Sequence, residues 1–578
     1  MSVYTNKTGA PSILKPFSGA DRDRAKIAAA NQVRFATPKE KGLVECIRIA
    51  VEDGDFHLVQ EFTYFIRESD LDDDELLKVL TDARKIVHHL TPDFINVVEA
   101  LMSLNWKKRS LGIIEAYKDF CVDVMVAHNR YLPNGICKLI IHWIPGDLDS
   151  AEWVNGNPSE RAHTDLKPIH DALNRILTAV PMAFDVVIDA ITAKFPYFKK
   201  PSHVTAGYLF NVLWLIEYKP VFEELILQLV LQKLLVLDVN APRDEIDVET
   251  NDHDSIEDNV RSQQPSVNHP IGRTLDICLL MLYKFIDGKC RIEPNSCQQS
   301  RESANRVFKI LLYLFDEVLL PSHNTHHVQF VIFQVTGIRS DYWDGFLQML
   351  WNKVKNPNAS AIIRHTAVGY LSSFIARAKF LPLSTITFYL KELSKWAHSY
   401  IDDSDEYGQN CSLKANMVFF SVCQGIFYLI AFRASDLTRC TKDLLFLQSL
   451  QLSRLAMCHF NPLRYCLAPV ATAFAGVTRT HQLAYCHTVL ERNARRKLAT
   501  VYGHDKAMSE ETLETFFPFD PYLLKLSNMY IEPNYLVYHD TETGDYAQTV
   551  TLPFHRKRGD SEMVEDDEFI VADKRQKY

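Results

Sequence analysis

Asn356-Pro-Asn-Ala-Ser-Ala-Ile-Ile-Arg-His-Thr-Ala-Val-Gly-Tyr-Leu-Ser-Ser-Phe-Ile-Ala-Arg-Ala-Lys-Phe-Leu-Pro382 reads as one long helix between two proline-marked turns. Ile363, Ala367, Tyr370, Leu371 and Phe374 recur at the three- and four-residue steps of a single buried face, so the stretch predicts an amphipathic helix. Arg364, His365, Arg377 and Lys379 would then lie on its polar side. They read either as a solvated face or as a basic stripe facing nucleic acid or an acidic partner.

The same pattern continues in both directions. From Lys41 onward helical periodicities repeat in pairs with short connections, and no run of alternating strands interrupts them. Prolines punctuate the helices at Pro92, Pro133, Pro168, Pro181, Pro220, Pro321, Pro357, Pro382 and Pro462. Several fit the first turn of a helix, where the missing N–H costs nothing. In Thr91-Pro92-Asp93 a hydroxyl is placed to cap, proline opens the helix and an acid meets its dipole. Only 20 of 578 residues are glycine and 47% are apolar, a balance that favours helix and a sizeable core over a turn-rich sheet. The expected fold is all-α, a HEAT-like solenoid of helical hairpins with a disordered acidic loop and flexible termini.

The expected organisation is a flexible arm (1–35), N-terminal helical repeats (36–237), an acidic loop (238–268), C-terminal helical repeats (269–540) and a charged tail (541–578). The loop rests on nine acids between Asp238 and Asp258 against Arg243 alone, a density that repels itself and cannot bury a core. The apolar run Val221–Leu237 is broken by Glu223, Glu224, Gln228, Gln232 and Lys233, so it reads as a buried helix. The N-terminus is too polar for a signal peptide.

The formal net charge of -9 argues against a protein whose main partner is bare DNA, leaving room for a minor contact. The twelve cysteines stand singly, without C-x-x-C pairs, as reduced thiols would. No P-loop, G-x-S-x-G elbow or H-E-x-x-H motif is present, so the reading is not an enzyme and calls for no cofactor. His323, His326 and His327 fit a helix start better than a metal site, having no nearby Cys or carboxylate before Asp341. Asp402–Gly408 resembles a calcium loop, but Lys414 stands where the bidentate Glu should be, which leaves an acidic turn. Asp70–Glu75 reads as a charged helix start.

With Leu320–Phe330 before the quoted helix, and Asn461-Pro-Leu, Glu491-Arg-Asn and Phe516-Phe-Pro-Phe-Asp-Pro521 after it, the chain resembles the RNA polymerase I-specific initiation factor family of TIF-IA type. The resemblance runs from about Val33 to about Pro533 and implies HEAT-like architecture. It implies a factor that binds RNA polymerase I near its stalk and bridges it to the promoter-bound selectivity or core factor at ribosomal RNA genes. Nuclear and nucleolar localisation, regulation by kinases and phosphatases, and a homodimer of the free factor are also implied. A HEAT-type nuclear transport or scaffold adaptor is the alternative.

Lys107-Lys-Arg-Ser110 and Lys199-Lys-Pro-Ser202-His-Val-Thr205 set hydroxyls beside cations at helix starts, where a phosphate would be favoured. Ordinary caps are the competing reading. In the family a serine-rich surface of the N-terminal half contacts the polymerase, which makes Ser110, Ser202 and Thr205 polymerase-binding candidates by region. Ser255-Ile-Glu-Asp258 suits an acid-directed kinase. Thr37-Pro38 suits a proline-directed one, or a capping box with Glu40. The tetrads His555-Arg556-Lys557-Arg558 and Lys574-Arg575-Gln576-Lys577 flank the acids Glu565–Glu568 and resemble nuclear-import signals.

Overall fold

The computed structural model describes residues 42–538 except 70, 242, 244–245, 247–266, 268, 293–296, 406–410, 503–512 and 514–516, and gives only the backbone of 404–405 and 496–502. The arm, Thr37, Ser255 and both basic tetrads (His555–Arg558 and Lys574–Lys577) lie outside the described residues. What is described is helical apart from one two-stranded hairpin and an isolated bridge. It forms two compact units, Met1–Leu311 with Leu524–Ser527, and Leu312–Leu523 with Asn528–Tyr578.

Unit 1 contains α1 (Leu43–Glu52), α2 (His57–Glu68), α3 (Asp73–Lys85), α4 (Ile95–Met102), α5 (Leu111–Ala127), α6 (Leu132–Ile140), α7 (Glu160–Ala179), α8 (Ala183–Lys194), α9 (Ser202–Tyr218), α10 (Glu223–Val239) and α11 (Pro270–Cys290). α12 (Gln298–Leu314) follows. The odd-numbered helices pack on one another in series, α1 on α3, α3 on α5 and α5 on α7, and α9 packs on α11. The even-numbered ones do the same, α2 on α4, then α6, α8 and α10. This two-layer stack of hairpins is the HEAT-like arrangement. Each helix buries one stripe against its pair-mate and another against the next repeat.

Local chemistry sets the helix starts. Asp72 caps α3 in a reciprocal box with Glu75, its carboxylate accepting from Glu75 N at 2.8 Å. Proline opens the 3-10 turn Pro92–Phe94, although the Thr91 hydroxyl donates to Asp93 Oδ2 at 3.3 Å and caps no backbone N–H. Pro168 departs from the expected pattern and sits inside α7. Asp238, counted in the acidic loop, is instead a buried last-turn residue of α10, and Ala241, Arg243 and Ile246 just after it are buried too. On α11 the buried Asp276 carboxylate accepts from Leu526 N and Ser527 N, both at 2.8 Å, and from the Ser527 hydroxyl at 2.5 Å. Those donors satisfy a charge that would be costly to bury alone.

Unit 2 comprises α13 (Phe330–Thr336), α14 (Ser340–Lys355), α15 (Ala361–Arg377), α16 (Leu383–Asp405), α17 (Met417–Phe432), α18 (Ala434–Leu437), α19 (Thr441–Ser449), α20 (Leu452–Met457), α21 (Pro462–Tyr465), α22 (Ala468–Thr480) and α23 (His487–Tyr502). The helix anticipated between Pro357 and Pro382 is α15, capped by Ser360, whose Oγ accepts from Ile363 N at 3.3 Å. It is not amphipathic. From Thr366 to Arg377 every residue except half-buried Gly369 is buried, while Ile363 is only half-buried. α14 and α17 pack against it, and the returning segment around Phe519 covers it further. Phe519 N donates to Ser373 Oγ at 3.1 Å, and its ring lies 5.3–5.8 Å from those of Phe333, Tyr370 and Phe374.

The basic residues expected on one side of this helix are divided: Lys379 is exposed just past its end, Arg364 and His365 are half-buried, and Arg377 is in the core. Arg377 is buried, with its guanidinium 4.6 Å from the Phe432 ring centroid and 5.3 Å from that of Tyr535. Arg364 donates to Val354 O at 2.8 Å, and His365 pairs with Ser421 Oγ at 2.5 Å. His327 is buried beside Tyr522, and the described residues hold no metal-competent His/Cys/Asp/Glu cluster. Asp402 and Asp403 end α16 and do not form a turn; Arg454 pairs with Asp402. The separated motifs meet in space. Asn461 Nδ2 donates to Asn493 Oδ1 at 2.8 Å and Asn493 Nδ2 to Asn461 Oδ1 at 3.2 Å, joining Asn461-Pro-Leu to Glu491-Arg-Asn.

Candidate protein-binding surface

Because the helices of unit 1 alternate between layers, its connections alternate between two edges. The turns within pairs (53–56, 86–94, 128–131, 180–182, 219–222) lie at one edge, and those between pairs (69–72, 103–110, 141–159, 195–201) at the other. Both cationic segments singled out in the sequence fall on the between-pair edge.

In the 103–110 connection Trp106 is the anchor. Its buried indole stacks on Tyr117 at 4.7 Å, and the Tyr117 hydroxyl donates to Met102 O at 2.7 Å. The residues after Trp106 must then run along the edge. Arg109 Nη1 donates to Asp73 Oδ1 at 2.9 Å, and this bond, joined by the Ser110 hydroxyl and N–H, holds the Asp73 carboxyl below its usual range. Ser110 is exposed at the start of α5 and makes no side-chain cap of its own helix. Lys107 reaches the carbonyl of His142 at 3.4 Å. Burial, with Lys107 beside it, pushes the His142 imidazole down to about 4.

The 141–159 connection carries on from His142. Gly146 N donates to Asp149 Oδ2 at 2.9 Å, closing a turn whose tip, Leu148, is 95% exposed. Asn155 and Gly156, with φ of 48° and 80°, make the tight turn of a hairpin pairing Trp153–Val154 with Asn157–Pro158. A Cβ on Gly207 of α9 would lie 2.4 Å from Pro145 Cγ and 3.1 Å from Trp153, so only glycine lets this connection sit on the helix.

The second cationic segment docks on the same turn. Lys200 Nζ is 3.8 Å from Asp147 Oδ1, and His203 Nε2 is 3.1 Å from Gly146 O. Ser202 is half-buried at the first position of α9. Thr205 was expected to be exposed beside it. It is 2% exposed, because one turn into α9 the helix already faces its neighbours. The structure thus brings Lys107 and Lys200 to the two flanks of the Pro145–Asp149 turn and removes Thr205 from the surface. Sequence reasoning overlooked Asp73, His142 and Leu148 as members of this edge. The dipeptides Pro145-Gly146 and Asn155-Gly156 were the available signals.

A buried polar brace stands behind the edge. His170 Nε2 donates to Asn211 Oδ1 at 2.9 Å and its Nδ1 accepts from the Tyr218 hydroxyl at 3.0 Å. The ring stacks on Trp143 at 5.2 Å. Burial lowers its pKa to about 4, so it stays neutral and switches nothing near neutral pH. This surface offers hydroxyls, cations and the exposed apolar side chains Leu111, Leu148, Val154 and Tyr197.

The profile of the family described as "RNA polymerase I specific transcription initiation factor RRN3" matches residues 38–270 and 261–543. The mouse RNA polymerase I-specific transcription initiation factor RRN3 is 29% identical, over 93% of this chain and 87% of its own. The fission yeast protein of that description is 24% identical over 76% of each chain. The crystal structure of RNA Polymerase I Transcription Initiation Factor Rrn3 superposes with a TM-score of 0.68 at 19% identity, covering 90% of this chain and 99% of that one.

Proposed function

The chain belongs to the RNA polymerase I-specific transcription initiation factor RRN3 family, and from that premise we propose that it binds RNA polymerase I through the between-pair edge of unit 1. The family is non-enzymatic, and the transport-adaptor reading gives way to it. In this reading the protein links the polymerase to the promoter-bound selectivity or core factor at ribosomal RNA genes. Its nuclear and nucleolar import rests on the tetrads at His555–Arg558 and Lys574–Lys577.

One observation carries the placement. Ser69, Ser103, Ser110, Ser150, Ser159 and Ser202 all lie at or beside the between-pair connections, whereas the described within-pair connections contain no serine. Of these, Ser110 and Ser150 are exposed and Ser202 is half-buried, and with Lys107, Arg109 and Lys200 they offer hydroxyls and a positive bias to a partner, whereas the hydroxyls of Ser103 and Ser159 are engaged within the edge. A phosphate adds about -1.5 to -2 charges, so one modification inverts the local field. At Ser110 it would stand against the Asp73 carboxylate and draw Arg109 away from it. Kinases and phosphatases would then set affinity by charge at this edge.

The test is recovery of RNA polymerase I by tagged full-length variants. Ser110→Asp and Ser202→Asp should each reduce recovery at least several-fold with an unchanged circular dichroism spectrum. Ser110→Ala should stay near wild type, since that hydroxyl caps no N–H of its own helix. Equal recovery by all variants would move the interface elsewhere.

A further inference from the structure

The connection 195–201 between α8 and α9 is built as an aromatic and cationic platform. Phe195 anchors it. Its ring packs edge-on against Tyr208 of α9 at 5.2 Å, and the Tyr208 hydroxyl donates to Ile191 O of α8 at 2.7 Å. Beyond the anchor the chain turns at once, the Lys200 N–H donating to Tyr197 O at 2.9 Å. The turn sets the Tyr197 and Phe198 rings side by side with centroids 4.5 Å apart. Phe198 is half-buried, whereas Tyr197 is 61% exposed.

Each half-buried ring carries a cation. Lys199 Nζ lies 5.7 Å from the Phe198 centroid, and Lys233 Nζ reaches across from α10 to 5.4 Å from that of Phe195. Neither ammonium forms an ion pair among the described residues. Lys200 is exposed beside them, with Asp147 Oδ1 3.8 Å away. The connection then enters α9, where Pro201 is the cap residue and no side chain caps the first N–H groups. That end of a 17-residue helix adds positive potential to the three lysines. The fold uses Phe195 as an anchor but makes little use of Tyr197, most of whose ring faces solvent beside those charges.

We propose that this platform binds a single strand of nucleic acid, a base stacking on the Tyr197 ring while Lys199, Lys200 and Lys233 meet phosphates. An exposed ring set among ammonium groups suits a base and its backbone together. It requires no readout of base edges, because every base has a π-face. A duplex hides its base faces and offers the ring nothing, and an acidic peptide would use the lysines and leave the ring idle. The net charge of -9 confines such binding to a local strip of the surface. Strand binding is a property of the chain alone, so its failure would leave the polymerase contact untouched.

The test is fluorescence anisotropy of the full-length chain with labelled oligouridylate, oligothymidylate and a DNA duplex of equal length, over a range of salt. Three phosphate contacts predict a slope of about -2 for log affinity against log salt on either single strand, at ~0.7 per phosphate. Lys199→Gln should make that slope shallower by ~0.7. Tyr197→Ala should weaken single-strand binding at least about fivefold with the slope unchanged, and Tyr197→Phe should keep the wild-type affinity. Duplex binding should respond to neither Tyr197 variant. Both side chains are exposed, and circular dichroism serves as the folding control. Oligouridylate against oligothymidylate then tells an RNA strand from a melted DNA strand. Failure of both strands to bind at low salt overturns the proposal, as does a Lys199→Gln slope equal to wild type. Unchanged single-strand affinity in Tyr197→Ala overturns it too, by reducing the surface to charge alone.

Discussion

The α15 core of unit 2 and the between-pair edge of unit 1 use their residues in opposite ways. Around α15, Phe519, Phe333, Tyr370, Phe374 and Arg377 are interlocked and buried, and three of the motifs that make the family recognisable meet there, the α15 stretch itself with Phe330 and Phe519. At the edge, Ser110, Lys107 and Lys200 sit in connections whose local sequence looks like ordinary helix starts. Packing constrains a residue from every side and leaves a strong signature. A binding edge needs only a few exposed groups held in place by a scaffold, and it leaves a weak one. The loudest motif therefore identifies the family, and the binding edge proposed above lies in a quieter region.

This contrast can be broken first at its strongest point. Phe519→Ala should cost about 3–5 kcal/mol in urea or thermal unfolding, because it opens a cavity among the rings of Phe330, Phe333, Tyr370 and Phe374. A loss under about 1 kcal/mol would mean that the returning segment merely rests on α15.

The next largest effect concerns the brace behind the edge. The His170 imidazole has an unfolded pKa near ~6.5, which burial lowers to about 4. The unfolded chain therefore takes up the proton first as pH falls. The neutral brace is fully stabilising above about pH 6.5 and is lost toward pH 4, a contribution of up to about 3 kcal/mol. Chemical denaturation from pH 7 to pH 4.5 should show a steeper loss for wild type than for His170→Gln. Identical slopes would mean that the ring charges without penalty.

Gly207→Ala separates edge from core. The added Cβ meets Pro145 at 2.4 Å, so the 141–159 connection must shift. Overpacking of this kind costs about 1–3 kcal/mol, partly offset by ~1 kcal/mol of helix propensity. Polymerase recovery should fall by more than the change in melting temperature explains. Unimpaired recovery would show that the Pro145–Asp149 turn does not contribute to binding.

The smallest effect is expected from deleting 247–266, which should change stability by less than about 0.5 kcal/mol. Extending the deletion back to Asn240 should be clearly worse, because Ala241, Arg243 and Ile246 are buried. If the two deletions behave alike, those residues add nothing to the core.

The helical class was legible because glycine is scarce and prolines mark helix starts, as Pro92, Pro133, Pro220 and Pro462 do. Pro168 was misleading because a long, well-packed helix tolerates one missing N–H. The burial of Arg377 could not be read locally, since Leu536, Tyr535 and Phe432 approach it from distant parts of the chain. For the same reason α15 looked amphipathic: periodicity counts apolar residues and is blind to how many elements surround a helix. Of the edge, Lys107, Ser110, Lys200 and Ser202 were legible as charged helix starts. Their convergence on the Pro145–Asp149 turn was not, because it depends on how the layers alternate. Thr205 was misplaced by one helical turn, which is enough to pass from surface to core.

If the polymerase meets the between-pair edge of unit 1, a residue on that edge must come within reach of it and one on the opposite edge must not. Leu148 at that edge is 95% exposed and Met182 at the opposite edge is 81% exposed, so a photo-cross-linking amino acid fits at either position without disturbing the core. Site-specific cross-linking of each full-length variant to purified RNA polymerase I is the direct measurement. Polymerase adducts are expected from position 148 and none above background from position 182; adducts from position 182 alone would put the polymerase on the opposite edge.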